Sequence, residues 1–116
     1  MKNVLIIDDD YLTCKILKTM LADFNCCPAY ITETDNIDEI LGGFEIDLLI
    51  TDLMIDNIDG LEVIEKAKVK FPGVPIVAVS SNEEMLAKAK VAGATMAVSK
   101  PFQPSLKEEL IQLLSN

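Results

Sequence analysis

The chain has 116 residues, half of them hydrophobic, with a formal net charge of −9 and no histidine, which suits one domain over residues 1–116 with a mostly aliphatic core. The negative charge argues against binding to nucleic acid or to an anionic membrane, because phosphate contacts need basic side chains. The absence of histidine excludes Ser-His-Asp and Cys-His catalysis and zinc sites built on imidazole.

Short apolar segments alternate along the chain with longer amphipathic ones. The short segments are rich in β-branched residues and predict strands at residues 4–7, 29–32, 48–51, 76–79 and 96–98. Apolar residues spaced three and four positions apart predict helices at residues 11–24, 37–41, 61–71, 83–92 and 104–114.

Five strands that alternate with five helices predict an α/β fold, a doubly wound five-stranded parallel sheet with helices on both faces, as in flavodoxin-like domains. The first and third strand candidates are apolar, as strands buried on both faces should be. We expect the strand order 2-1-3-4-5, in which ligands bind at the carboxyl ends of strands 1 and 3, where the order reverses.

Local signals mark the boundaries of two helices. Ser81, with Glu84 three residues later, predicts a capping box at the start of the fourth helix. The pair Pro72-Gly73 predicts the end of the third helix. Gly60, at the end of the segment DNIDG, is expected to serve backbone geometry.

Polar residues follow four of the five predicted strands. They are Asp8, Asp9 and Asp10 after strand 1, Asp52 after strand 3, Ser80 after strand 4 and Lys100 after strand 5. Carboxylates about 5 Å apart repel one another by about 3 kcal/mol per pair at an effective dielectric of about 20. A hard cation among them removes this cost, and Mg²⁺ prefers oxygen ligands that it shares with a phosphate.

Each of these residues also has a simpler interpretation. An aspartate after a strand is a favoured helix cap, the serine is typical of a turn, and the lysine suits solvated surface. The combination of carboxylates, a hydroxyl and an ammonium at one sheet edge instead favours transfer of a phosphoryl group to a carboxylate.

Four stretches, VLIIDDD, DLLITDLMIDNIDGLE, PIVAVSS and AGATMAVSKPF, resemble the response-regulator receiver domains of two-component signalling in order and spacing, over essentially the whole chain. The resemblance implies a phosphoacceptor switch with Mg²⁺ as its cofactor. Its partners would be a sensor histidine kinase or phosphotransfer protein and a downstream protein target.

The resemblance also implies a role for each acidic residue. Asp52 resembles the phosphoacceptor, which is also a metal ligand. Asp9 resembles the carboxylate that contacts Mg²⁺ directly, and Asp8 the one that acts mostly through water. The backbone carbonyl of Met54 resembles the remaining protein ligand, and Asp10 is left as a helix cap.

The switch residues match the family only in part. Ser80 resembles the hydroxyl that moves towards the phosphoryl group, and Lys100 the lysine that pairs with it, while Lys100–Pro101 resembles a peptide that is often cis in the family. Asp56 stands where the family usually has proline, which leaves the rigidity of the loop after the acceptor open. Ala97 stands where many members have an aromatic residue that swings inward on activation.

Met54 and Asn82 occupy positions that tune water access to the phosphoryl group in this family. Because a methionine side chain offers no general base, we expect slow self-dephosphorylation. The resemblance thus implies a protein that is not an enzyme acting on a separate substrate, but one that catalyses its own phosphorylation and slow dephosphorylation. Since the sequence ends shortly after the fifth helix, we expect output through protein contacts or a phosphorelay, from a monomer or weak homodimer.

Two other functions stay open. The spacing Asp8-x-Asp10 after a first strand also suits a phosphohydrolase of the haloacid-dehalogenase type, although Glu108 and Glu109 lie too far along a helix to complete its metal site. A receiver-like module that is never phosphorylated is the third possibility, favoured by Asp56 and Ala97. Phosphorylation at Asp8 or at Asp52 distinguishes the first two functions, and failure to bind Mg²⁺ would favour the third.

The remaining signals concern location. Cys14, Cys26 and Cys27 are odd in number and lack a CxxC spacing, which predicts reduced thiols in a reducing compartment. No apolar run approaches the roughly 20 residues needed to cross a bilayer, and the start lacks a signal-peptide cleavage site. We therefore expect a soluble, cytoplasmic protein.

Overall fold

The computed structural model describes residues 2–29, 37–43, 45–55 and 58–115. Its strands are β1 (Asn3–Ile7), β2 (Asn25–Ala29), β3 (Leu48–Asp52), β4 (Met54–Ile55), β5 (Ile58–Asp59), β6 (Ile76–Ser80) and β7 (Met96–Ser99). Its helices are α1 (Tyr11–Met20), α2 (Ile37–Gly42), α3 (Gly60–Lys70), α4 (Glu83–Ala92) and α5 (Leu106–Ser115).

Five strands form one parallel sheet in the order β2-β1-β3-β6-β7. The two-residue strands β4 and β5 pair separately in an antiparallel hairpin. Without that hairpin the order is 2-1-3-4-5, so the predicted doubly wound fold is confirmed. The strand order reverses between β1 and β3, which places the expected binding edge at their carboxyl ends.

Two hydrophobic cores lie on opposite faces of the sheet. Alternate side chains of β1 divide between them, because successive residues of a strand point to opposite faces. Val4 and Ile6 pack with residues of α1 and α5, and Leu5 and Ile7 pack with residues of α2, α3 and α4. Both β1 and β3 are buried along nearly their whole length, which confirms the prediction of helices on both faces.

The second strand begins earlier than predicted. It is described over Asn25–Ala29, four residues before the predicted start at residue 29, and residues 30–36 lie outside the described residues. The reason is that the first helix ends at Met20 rather than at residue 24. Its last turn closes when the Leu21 N–H donates to the Leu17 carbonyl, and the Asn25 N–H then donates to the Lys2 carbonyl at 3.1 Å.

The cap of α4 was also predicted at the wrong residue. The structure places Asn82, not Ser81, at the N-cap, where its side chain accepts hydrogen bonds from the N–H groups of Glu84 and Met85 at 2.9 and 3.2 Å. Asparagine caps helices as well as serine does, so the helix begins at Glu83 as predicted, and only the identity of the cap residue differs. By contrast, α3 ends at Lys70, directly before the predicted stop.

Among the described residues, none of the helices combines the length and the apolar character that crossing a membrane would require.

Candidate functional site

The acidic residues after β1 and β3 meet at the predicted edge of the sheet. Ile7 of β1 lies opposite Thr51 of β3 in the parallel register. Asp8, directly after β1, and Asp52, the last residue of β3, are therefore neighbours at this edge. Carboxylate oxygens of Asp8, Asp9 and Asp52 lie within 4.8 Å of one another. Asp8 and Asp52 are buried, whereas Asp9 is exposed.

Backbone N–H groups orient the two buried carboxylates. The Asp10 N–H donates to Asp8 Oδ1 at 2.8 Å, and the Met54 N–H donates to Asp52 Oδ1 at 2.9 Å. Burial, followed by the negative charge of Asp52, raises the pKa of Asp8 to about 6, against the opposing effects of the Asp10 N–H and Lys100. Because both N–H groups donate to Oδ1, the Oδ2 atoms of Asp8 and Asp52 are left for another partner.

That partner is Lys100, which follows β7. Its Nζ lies 3.1 Å from Asp52 Oδ2 and 3.4 Å from Asp8 Oδ2. Burial lowers the pKa of Lys100, but the hydrogen bond to Asp52 and the negative charges of both aspartates outweigh it, so that the pKa is raised. The ammonium thus offsets part of the repulsion between the two buried carboxylates. The Lys100–Pro101 peptide is cis, as the resemblance implies.

Asp10 is turned away from this cluster and caps α1. Its Oδ1 accepts from the Leu12 N–H at 3.0 Å, and its Oδ2 accepts from Thr13 Oγ at 2.8 Å. These hydrogen bonds, with that of Thr13 first, lower the pKa of Asp10. The predicted helix cap is therefore confirmed.

Ser80 lies at the end of β6, one residue beyond the Asp52–Val79 pair of the parallel register. The side chain is buried, and its Oγ accepts the Asn82 N–H at 3.0 Å. This arrangement uses an oxygen lone pair and leaves the hydroxyl hydrogen to donate. A hydroxyl donor thus stands on the strand next to the one that carries Asp52.

The residues that depart from the family pattern are only partly described. Asp56 lies outside the described residues, so its effect on the loop after Asp52 stays a prediction. Ala97 is half-buried in β7, beside a groove of about 320 Å³ whose walls include Leu106 and Glu109 of α5. Met54 exposes 56% of its surface, although its backbone N–H donates a hydrogen bond to the Asp52 carboxylate.

The donor set fits a small hard cation. Mg²⁺ binds oxygen ligands at about 2.1 Å in an octahedron, which places those oxygens about 3 to 4.2 Å apart. Oxygens of Asp8, Asp9 and Asp52 that already lie within 4.8 Å of one another need only a small approach to reach this spacing. All three donors are carboxylates, which suit magnesium better than they suit softer metals.

The hydrogen bonds that Thr51 and Asn82 make near the site were not predicted from the sequence. Thr51 Oγ donates to the carbonyl of Asp52 at 3.0 Å. Asn82 both caps α4 and donates its N–H to Ser80. The sequence carried a signal for the first of these, since Thr51 is a hydroxyl residue in an otherwise apolar strand directly before a candidate acceptor.

Two cysteine side chains belong to the described part of the chain, those of Cys14 and Cys26, and they form no disulfide. That all three cysteines are reduced thiols stays a prediction. Burial, with the negative charges of Asp8 and Asp10, raises the pKa of Cys14 to about 11, so its thiol stays protonated at neutral pH and is a poor nucleophile.

Comparison with known proteins agrees with this geometry. The profile of the response regulator receiver domain matches residues 4–114. The chain is 31% identical over 113 residues to the cell cycle transcriptional regulator CtrA of Caulobacter vibrioides, covering 93% of this chain and 46% of that protein. It is 26% identical over 104 residues to the Regulator of RpoS of Escherichia coli, covering 88% of this chain and 31% of that protein. The chain thus spans less than half the length of either relative.

Solved structures show the same fold. A CheY-like response regulator receiver domain protein from Methanospirillum hungatei superposes with a TM-score of 0.85 at 25% identity, over 99% of this chain and 94% of that one. The strand order, the acidic edge and the match over residues 4–114 lead to one conclusion: the chain belongs to the response regulator receiver domain family.

Proposed function

We propose that Asp52 accepts a phosphoryl group from a sensor histidine kinase or a phosphotransfer protein, and that the phosphorylated domain acts on a downstream protein or relays the group onward. One observation supports this most directly. Three carboxylates that fit Mg²⁺ lie together with a lysine at the carboxyl edge of β1 and β3, where doubly wound folds bind their ligands.

In this proposal Asp52 is the nucleophile. A carboxylate oxygen of Asp52 attacks phosphorus, the bond between phosphorus and the donor's nitrogen or oxygen breaks, and the leaving atom keeps the electron pair. Mg²⁺ held by Asp8, Asp9, Asp52 and the carbonyl of Met54 would neutralise charge on the transferring group.

Lys100 and Ser80 have the remaining roles. The ammonium of Lys100 donates a hydrogen bond to Asp52 Oδ2 at 3.1 Å. It would turn to an oxygen of the incoming phosphoryl group and donate a charge-assisted hydrogen bond there. The Ser80 hydroxyl would donate to another oxygen. Ser80 ends β6, the strand next to β3, and Lys100 follows β7, the strand next to β6, so both donors would approach the phosphoryl group from the side of β6.

A protein donor fits the surface around the site. Among the described residues, four of the six exposed large hydrophobic side chains lie on the segments that follow the acidic residues: Tyr11, Leu12 and Ile16 on α1, and Met54 two residues after Asp52. Exposed apolar groups concentrated beside one site favour a macromolecular contact there. A small-molecule phosphodonor needs no such surface, but it can still test the chemistry.

The test is intact-mass analysis after incubation with Mg²⁺ and acetyl phosphate. We expect the wild type to gain one phosphoryl group, and Asp52→Ala to gain none. Peptide mapping then locates the group, and its presence on Asp8 would favour the phosphohydrolase instead. No gain, together with no binding of Mg²⁺, would favour the module that is never phosphorylated.

The lifetime of the phosphorylated form tests a finer part of the proposal. Because the exposed side chain of Met54 offers no general base to water, self-dephosphorylation should be slow. The phosphorylated protein, freed of acetyl phosphate, should keep its added mass for minutes or longer. A lifetime of seconds would contradict the assigned role of Met54.

A further inference from the structure

The hydroxyl of Thr51 lies at the centre of this inference. Thr51 is fully buried in β3, and its Oγ donates to the carbonyl oxygen of Asp52 at 3.0 Å. The residues opposite Thr51 in the register are Ile7 on β1 and Ala78 on β6. Between two apolar neighbours a valine would pack as well as a threonine, so packing alone does not explain the hydroxyl.

The carbonyl that accepts this hydrogen bond, that of Asp52, belongs to the peptide group that joins Asp52 to Leu53. The N–H of the same peptide group, that of Leu53, donates to the Val79 carbonyl at 3.0 Å. Since a peptide group is rigid and planar, hydrogen bonds at both of its ends fix its orientation. The backbone between Asp52 and Leu53 is therefore held on one side by β6 and on the other by Thr51.

The next residues depend on that orientation. Gly60, the first residue of α3, lies against the backbone of Leu53, where an added Cβ would come within 2.4 Å of the Leu53 Cα. The Met54 N–H then donates to Asp52 Oδ1 at 2.9 Å. A rotation of the peptide after Asp52 would move this N–H away from the carboxylate that it orients.

We propose that Thr51 is a positioning residue for the phosphoacceptor, which acts by fixing the peptide after Asp52 and thereby the hydrogen bond from the Met54 N–H to the Asp52 carboxylate. The inference rests on the proposed phosphorylation of Asp52. It also explains why a buried apolar strand carries a hydroxyl at this position, since exceptions to the local pattern are concentrated at functional sites.

Two substitutions test the role of the hydroxyl. Thr51→Val removes it with little change of shape, and Thr51→Ser keeps it but removes the methyl group. Thr13→Val is the matched control, because Thr13 is also buried and also donates through its hydroxyl, but to the cap residue Asp10. Thermal unfolding verifies that all three variants fold.

Two readouts separate positioning from stability. The first is hydrogen exchange at the Met54 amide in the unphosphorylated protein, which should become about tenfold faster in Thr51→Val. The second is the rate of phosphorylation at saturating acetyl phosphate and Mg²⁺, which should fall by about the same factor. Thr51→Ser should restore both values to within about twofold, and Thr13→Val should leave both unchanged.

The possible failures are distinguishable. Wild-type exchange at Met54 and a wild-type rate in Thr51→Val would overturn the inference, as would a Thr51→Ser variant as defective as Thr51→Val, because the methyl group would then be responsible. A wild type that takes no phosphoryl group would contradict the proposed function, and the exchange at Met54 would still decide whether Thr51 holds this backbone.

Discussion

The ammonium nitrogen of Lys100 lies 3.1 Å from Oδ2 of Asp52, although 48 positions separate the two residues. The same ammonium lies 3.4 Å from Oδ2 of Asp8. One cation thus bridges the two buried carboxylates at the reversal of strand order. Its position predicts that it stabilises the metal-free fold as well as acting on a phosphoryl group.

Lys100→Met should therefore destabilise the metal-free protein. Removing the cation leaves Asp8 and Asp52 buried and facing each other without a counter-charge, which should cost about 2 kcal/mol, somewhat less than for a fully buried pair because part of Lys100 is exposed. Urea unfolding in the presence of a chelator measures this. Saturating Mg²⁺ should recover most of the loss, since it supplies the missing positive charge.

Lys66→Met is the matched control for that prediction. Lys66 also contacts two carboxylates, Asp38 and Glu62, at 3.1 and 3.3 Å, but both are well exposed. Exposed ion pairs contribute little to stability because water and salt screen them, so the loss should be much smaller than for Lys100→Met, and Mg²⁺ should restore nothing. If Lys100→Met and Lys66→Met lose equal stability, Lys100 does not offset a repulsion between the buried carboxylates of Asp8 and Asp52.

The raised pKa of Asp8 predicts an unusual dependence of stability on pH. Folded Asp8 holds its proton up to about pH 6, whereas its ordinary pKa is 3.8. The folded state therefore binds more protons between these values, so the free energy of unfolding should fall as the pH rises from about 4 to about 6 and should level off above that. In metal-free protein the contribution of Asp8 is on the order of 2 kcal/mol.

Asp8→Asn isolates this contribution, because Lys100, Asp9 and Asp52 also face the site. The amide keeps an oxygen for the Asp10 N–H, which donates to Asp8 Oδ1 in the wild type, but it does not titrate. Urea unfolding of both proteins at several pH values gives the difference between them. A difference that stays constant from pH 4 to pH 7 would show that Asp8 has an ordinary pKa.

The sequence predicts this site better than it predicts the elements around it. Asp8 and Asp52 lie at the ends of apolar segments that predict buried strands at the centre of a doubly wound sheet, so their meeting could be foreseen. The strand Asn25–Ala29 could not be found in this way. It lies at the edge of the sheet, and its sequence NCCPA lacks the β-branched residues that favour strands.

Contacts made by single hydrogen bonds were the hardest to foresee. Ser81 and Asn82 are both good helix caps, and only the backbone path decides that Asn82 takes the position. The bridge from Lys100 to both aspartates likewise depends on where the chain leaves β7. Residue type and spacing thus identify the participants in a site, whereas their pairing depends on distances that only the folded chain defines.

Mg²⁺ should stabilise the wild type, because a metal that binds the folded site and not the unfolded chain shifts the equilibrium towards the fold. At a free concentration ten times the dissociation constant the gain is about 1.4 kcal/mol. Asp9→Ala should reduce this gain strongly. Because Asp9 is exposed, the same substitution should leave the metal-free melting temperature nearly unchanged.

Thermal unfolding of both proteins across a magnesium titration makes this comparison, with sodium chloride at equal ionic strength as a control for screening. An Asp9→Ala variant that gains as much stability as the wild type would remove Asp9 from the metal site. A large loss in chelator would instead assign it a structural role.

Gly60→Ala should damage the fold next to Asp52. The added Cβ would lie 2.4 Å from the Leu53 Cα and 2.9 Å from the Leu53 carbonyl oxygen, and these are backbone atoms that no side-chain rotation can move aside. Either α3 shifts away from the sheet or the backbone after Asp52 moves, so we expect a loss of about 2 kcal/mol in stability and slower phosphorylation.

Gly73→Ala is the control, because an added Cβ there meets nothing within 4 Å, and it should leave both properties nearly unchanged. Urea unfolding and the acetyl phosphate reaction measure the two effects. A Gly60→Ala variant as stable and as reactive as Gly73→Ala would mean that the contact between α3 and Leu53 does not hold the backbone after Asp52.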